Sequence, residues 1–256
     1  MSPRAAGEGP LDGSSPRSPE SVVDVLLQAL PYIEAFRGSV VVVKFGGNAM
    51  VDPELFESFA SDIVWMHRVG MRPVVVHGGG PQIGQWMERL GRESTFVDGR
   101  RVTDAETLEV AQMVLIGKVN SDIVTALNST GPVAVGLSGT DASMLQARPH
   151  DPELGFVGAV REVHPELIER TLAMDLVPVL ATIGVDVTGQ RYNINADDAA
   201  TAVAQAPGRR EAGLPDRCRG PARGRGRSGV AHQLGHPGAH RRAHRRRHDR
   251  RGCCRR

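Results

Sequence analysis

Val74 to Pro81 reads Val-Val-Val-His-Gly-Gly-Gly-Pro. A β-branched run of this kind reads as a buried parallel strand. The glycines that follow make a tight loop without side chains, and Pro81 suits the first turn of a helix. Strand, glycine loop and helix start together present bare backbone N–H groups to an anion. The same pattern is written earlier, in Val40-Val-Val-Val-Lys44-Phe-Gly46-Gly47-Asn48. Two such strand ends side by side in one sheet would face one small, negatively charged reactant.

The rest of the chain fits around these two strands. Ser21 to Arg37 has helical spacing, with Val22, Val23, Leu26, Leu27, Leu30, Ile33 and Phe36 on one stripe. Pro31 inside it is expected to kink or divide the helix. The stripe needs a partner, either its own domain or an oligomer contact. Ser39–Lys44 reads as the first strand. Asp52-Pro53-Glu54 is a helix start, with Asp52 as N-cap. Leu55, Phe56, Phe59, Ile63 and Met66 give that helix a buried face, and Gly70 stops it. By His77 a β-α-β unit is complete, so its crossover should be right-handed and its strands parallel.

A helix is expected from Pro81 to Leu90 and a short strand or hairpin over Thr95–Val102. Thr103-Asp-Ala-Glu106 has the form of a capping box, opening a helix to about Asn128. Strands are read at 132–137, 143–147, 156–163 and 176–183, with a helix at 165–174 and a turn at 184–192. Asn195 is an N-cap for a helix to Ala206, with Asp197 and Asp198 in its favourable first turn. Strands alternating with helices at this pace give an α/β chain with a mainly parallel sheet covered on both faces, a three-layer αβα sandwich.

Charge divides the chain further. Residues 208–256 hold sixteen Arg against three Asp/Glu, a net +13; residues 1–207 hold 15 basic and 26 acidic residues, a net −11. Residues 1–20 are low-complexity and read as disordered. Residues 208–256 carry few large aliphatics and no periodicity, so they cannot bury enough apolar surface to offset chain entropy. The organisation expected is therefore a disordered segment 1–20, an N-terminal helix 21–38, an α/β domain 39–207 and a disordered Arg/Gly-rich tail 208–256. Cys218, Cys253 and Cys254 lie in that tail with five His, at spacings that fit no zinc pattern, so no metal site is expected. Arginines at 241–247 can meet phosphates, but without interleaved aromatics such binding would be nonspecific, so no specific nucleic-acid partner is expected. No apolar run reads as long enough for a bilayer and no signal peptide is visible, which points to the cytoplasm.

The chemistry starts from an absence: there is no G-x-x-x-x-G-K-[ST] loop. Phosphoryl transfer still needs charge neutralised across the moving group. Gly46, Gly47, Gly79 and Gly80 can supply backbone donors, and Lys44 the point charge. One donor of this kind is typically worth about 10²–10³ in rate. Either glycine run alone would be an ordinary tight turn; two at equivalent strand ends, one beside a lysine, favour an anion site. Gly99-Arg100-Arg101-Val102-Thr103 offers a guanidinium for a carboxylate. Arg100 reads better as a solvated turn residue, and His77 as a strand-end histidine held by hydrogen bonds. Asn193-Ile-Asn195-Ala-Asp197 puts an amide and a carboxylate at a helix start. No general base is visible, as suits a nucleophile that is already an ionised carboxylate.

Lys44-Phe-Gly-Gly-Asn-Ala-Met50, His77-Gly-Gly-Gly-Pro81, Gly99 through Arg101-Val-Thr-Asp104, and Tyr192-Asn-Ile-Asn-Ala-Asp197 together resemble the N-acetylglutamate kinases of the amino acid kinase family. The resemblance covers about 22–207. It implies transfer of the ATP γ-phosphoryl to the side-chain carboxylate of N-acetyl-L-glutamate, giving N-acetyl-L-glutamyl 5-phosphate in arginine biosynthesis, with Mg²⁺ accompanying the nucleotide. Lys44 would stabilise the transition state and Asp197 would orient catalytic lysines. Gly79, Gly80, Arg101 and Asn193 would hold acetylglutamate, and Gly46, Gly47 and Gly78 would bind phosphate. The helix at 21–37 resembles the N-terminal extension of the arginine-inhibited branch, implying a homo-oligomer, dimer or hexamer.

The chain departs from that pattern after 207. The family's nucleotide-binding half, with its second catalytic lysine, is expected to be missing, since no lysine follows Lys118. The tail resembles a GC-rich reading frame entered out of phase. The chain as written is then expected to show negligible kinase activity. Two alternatives stand beside this reading: a relative phosphorylating carbamate, aspartate or a nucleotide, and a non-catalytic module of the same fold whose basic tail binds anionic polymers.

Overall fold

The computed structural model describes residues 19–206. The expectations for the first residues and for the Arg/Gly-rich tail lie outside the described residues.

The elements follow in chain order: α1 (Pro19–Phe36), β1 (Val40–Phe45), α2 (Pro53–Arg68), β2 (Arg72–His77), α3 (Gly80–Arg89), β3 (Phe96–Val97), β4 (Arg100–Arg101) and α4 (Ala105–Gln112). After α4, a π-helical segment Met113–Val119 leads into α5 (Asn120–Leu127). Then come β5 (Ala134–Ser138), β6 (Leu145–Pro149), β7 (Val157–Val163), α6 (Glu166–Ala173), β8 (Val177–Ala181), β9 (Ile183–Val185), β10 (Arg191–Ile194) and α7 (Ala196–Gln205).

The main sheet runs β1-β2-β8-β5, every pair parallel. Successive side chains of a strand point to opposite faces, and β2 shows it: Val75 packs with Phe45, Ile63, Leu115 and Val179, whereas Val74 and Val76 pack with Val42, Ile168, Leu172 and Val203. Helices α2 to α5 cover the first face and α6 and α7 the second, the three-layer αβα arrangement. Asp52 caps α2 by accepting from the Glu54 and Leu55 N–H groups, with Pro53 at the first turn. Register β1–β2 brings Phe45 beside His77, so the two glycine runs leave the sheet next to each other.

Four departures from the sequence reading have physical causes. Strands β6, β7, β9 and β10 leave the main sheet and close on one another, mixing parallel and antiparallel pairs; they are too short and irregular for alternation to separate them from parallel strands. Helix α1 continues through Pro31, where the carbonyl that loses its partner lies on an exposed helix and can be solvated. The cap of α4 is Asp104, accepting from the Thr107 N–H, one residue beyond the expected Thr103; Thr103 instead turns its hydroxyl to the Arg101 carbonyl. The segment Ala105–Thr130 is long and apolar enough, by length and composition alone, to cross a membrane. Here it lays Leu108, Leu115, Ile123 and Leu127 against the sheet.

Candidate active site

The C-terminal ends of β1 and β2 open onto a cavity of about 290 Å³. Open parallel sheets place ligands beyond the carboxyl ends of their strands. Lys44, Gly46, Gly47, Gly78, Gly79, Gly80, Arg101, Asn193 and Asp197 all line this cavity. The structure therefore brings every site residue read from the sequence into one place. A wider depression of about 670 Å³ between α2 and α5 has Phe56, Trp65, Arg68 and Asp122 in its wall but neither glycine loop.

The two loops supply different things. Gly79 is the N-cap and Gly80 the first residue of α3, so their N–H groups are among those a helix start leaves unpaired. The Gly78 N–H is already committed, donating to the Phe45 carbonyl at 3.1 Å, which removes it from the donors expected for a phosphate. Gly79 also makes room: a Cβ there would lie 2.6 Å from Leu115 Cδ2. In the other loop Gly47 has φ +70°, the left-handed region that favours glycine, and Gly46 lets the Lys44 side chain fold close over the backbone.

The cations are held from two directions. Lys44 Nζ is 3.4 Å from Asp197 Oδ1. Asp197 and Asp198 open α7, whose cap Asn195 accepts from both of their N–H groups. Arg101 is 8% exposed; its guanidinium donates to the Gly80 carbonyl at 3.0 Å and to Ser94 Oγ, and lies over the Phe96 ring at 4.6 Å. Desolvation pushes its pKa down from the usual guanidinium value. It meets no carboxylate among the described residues. A buried cation without a counter-charge is costly, and an anionic ligand entering here would supply one. Asn193 is fixed by β10 pairing with β7 on one side and β9 on the other.

At Arg100 the local context misleads. It is no solvated turn residue: it lines the cavity, its side chain is 24% exposed, and it pairs with Asp198 at 2.9 Å. Nothing near it in sequence signals a partner so far along the chain. Leu115, Ile83 and Thr182, which also line the cavity, carried no sequence signal beyond that of ordinary core residues. His77 is fully buried and held by hydrogen bonds.

The arrangement can neutralise a compact polyanion: helix-start amides and a buried guanidinium on one side, a lysine at a strand end on the other. Known proteins resemble this chain over most of its length. The acetylglutamate kinase of Chromohalobacter salexigens is 51% identical over 205 residues, covering 75% of this chain and 67% of that protein. That of Jannaschia sp. is 53% identical over 181 residues, covering 71% and 64%. Among solved structures, the N-acetylglutamate synthase from Neisseria gonorrhoeae, complexed with coenzyme A and N-acetyl-glutamate, matches with a TM-score of 0.62 at 25% identity, over 71% of this chain and 42% of that one. The chain spans about two thirds or less of the length of the curated relatives it matches. The model of the amino acid kinase family matches residues 39–210, and with the two glycine loops, Lys44 and the Asn-Ala-Asp helix start in one cavity, the chain belongs to that family.

Proposed function

We propose that the cavity is the acceptor site of an acetylglutamate kinase, the site at which N-acetyl-L-glutamate receives the γ-phosphoryl of Mg²⁺-ATP on its side-chain carboxylate in arginine biosynthesis. The observation that carries this is Arg101, a buried guanidinium with no carboxylate partner among the described residues, facing the same cavity as two backbone donor loops. The volume, about 290 Å³, lies just below the roughly 300–1,000 Å³ usual for small-molecule sites, as suits an amino-acid derivative. In this reading Arg101 and Asn193 fix the acetylglutamate, with the Gly79 and Gly80 amides on its reacting end. Gly46 and Gly47 meet the arriving phosphoryl group, and Lys44, steered by Asp197, stabilises its charge in the transition state. The ionised carboxylate attacks directly, so no proton has to be removed first.

The exposed apolar side chains of α1, among them Leu26, Leu27 and Phe36, support a homo-oligomer. The reaction belongs to the cytoplasm. Titration calorimetry of the 256-residue chain with N-acetyl-L-glutamate tests the site. Saturable binding that Arg101→Ala weakens at least tenfold is expected, and unchanged binding by that variant rejects the reading. Acetylglutamate-dependent ADP release, measured in parallel, shows whether the chain also turns over.

A further inference from the structure

His77 makes two hydrogen bonds whose directions can be deduced. Asn120, the first residue after the π-helical segment, puts Nδ2 2.8 Å from the Val179 carbonyl and 3.4 Å from that of Leu137. Carbonyls only accept, so the Asn120 atom facing them bears hydrogens, and the same NH₂ reaches His77 Nε2 at 3.0 Å. That ring nitrogen therefore accepts. The other, Nδ1, carries the hydrogen and donates to the Gly78 carbonyl at 2.9 Å. In a trans peptide the C=O and the following N–H point opposite ways, and the chain has no cis bond among the described residues. Pulling the Gly78 carbonyl toward the ring turns the Gly79 N–H away from it, and Gly79 lines the cavity.

Three further features place this relay. Ring burial is complete, and desolvation pushes its pKa down to about 4, which keeps it neutral with one donor and one acceptor. Gly136 in β5 has no Cβ where one would run into Asn120 Oδ1. Asn120 thereby links β5, β8 and the end of β2 that leads into the loop.

We infer that His77, oriented by Asn120, is a positioning residue: it fixes the Gly78–Gly79 peptide so that the Gly79 amide is aimed at the anionic group of the ligand. The ligand identity rests on the proposed function, whereas the aiming of the amide does not. Two variants separate the ring's roles. In His77→Asn the side-chain amide nitrogen sits where Nδ1 was and can still donate to the Gly78 carbonyl. In His77→Gln it sits where Nε2 was and cannot. Calorimetry of the 256-residue chain with N-acetyl-L-glutamate should give binding within about threefold of wild type for Asn and at least roughly tenfold weaker for Gln, a step of about 1.4 kcal/mol. Equal affinity of the two variants overturns the inference.

Two readouts stand without that ligand or without the variants. The Gly79 and Gly80 amide resonances should move in Gln and return in Asn; if both variants leave them unmoved, the inference fails. In the wild-type chain, ¹⁵N spectra of the ring should show a protonated Nδ1 and a bare Nε2, and the opposite tautomer overturns it. Absence of acetylglutamate binding by wild type, with the amide and tautomer results as expected, removes the proposed function and leaves the positioning role standing.

Discussion

The two glycine loops have nearly the same local sequence and are built in opposite ways. The loop after β2 is stiff from behind: a buried histidine holds one of its carbonyls, Asn120 holds the histidine, and Leu115 packs where a side chain would stand. The loop after β1 is open: Gly47 is exposed, a Cβ placed on it would meet nothing within 4 Å, and the lysine beside it is tethered to a largely exposed aspartate. Fixed dipoles sit on one side of the cavity and an adjustable charge on the other. Preorganised donors are most effective when they need not reorganise, whereas a point charge on a flexible stem can follow a group that moves. The difference suits a site where one reactant is held and another part travels.

Acid should separate the loops most strongly. His77 has a folded pKa near 4 against an ordinary 6.5. Between those values the unfolded chain takes up a proton that the folded chain refuses. Stability is then full above about pH 6.5, falls as pH drops toward 4 and loses no more below it, with a ceiling of roughly 3 kcal/mol. Urea unfolding at pH 7 and pH 4.5 should show this loss in wild type and much less in His77→Asn, which has nothing to titrate there. Equal losses would place the acid sensitivity elsewhere.

Steric contrast comes next. Gly79→Ala drives a methyl toward Leu115 and should cost about 2 kcal/mol by overpacking. Gly47→Ala meets open space and bears only the left-handed backbone penalty, about 1 kcal/mol. Thermal unfolding of both variants measures the difference, and a larger cost at Gly47 would reverse the assignment of stiffness. The smallest stability effect belongs to Lys44→Ala. Its ion pair is solvent-exposed on the Asp197 side, so removal should change stability by no more than about 0.5 kcal/mol. Acetylglutamate affinity should also stay within a few-fold under the proposed function, in which the lysine acts on the transferring group. A loss of affinity as large as that of Arg101→Ala would give Lys44 a role in holding the acceptor.

Much of this was written locally. The β-branched runs at Val40–Val43 and Val74–Val76 declare buried strands, and Asp52-Pro53 and Asn195 declare helix starts through short-range hydrogen bonds that sequence proximity makes readable. The glycines, Lys44, Arg101 and Asp197 that line the cavity were legible as candidates because each lies at a strand end or helix start with a glycine or charge signature. What stayed hidden is non-local. Arg100 looks like a turn residue until Asp198 arrives from far along the chain. Asn120 looks like a mid-helix polar residue until β5 and β8 surround it. The choice between Thr103 and Asp104 as cap is a contest between two good capping residues, decided when Thr103 pairs with Gly155 and the Leu154 and Phe156 backbone. The π-helical turn has no composition of its own.

The strand order has a consequence for how the molecule comes into being. β2 lies between β1, its near neighbour in sequence, and β8, made much later: Val75 must find Val179. Closing so long a loop delays the contact that completes the sheet. On the ribosome, the β1–β2 pair and its glycine loops would emerge early, with part of the cavity wall already written. They would wait for β8 and α7 before Asn120 gains its carbonyls and Lys44 its aspartate. The site thus matures late relative to its two loops, and a nascent chain stopped before Val177 would carry both loops without the Val179 carbonyl that holds Asn120 or the aspartate that holds Lys44.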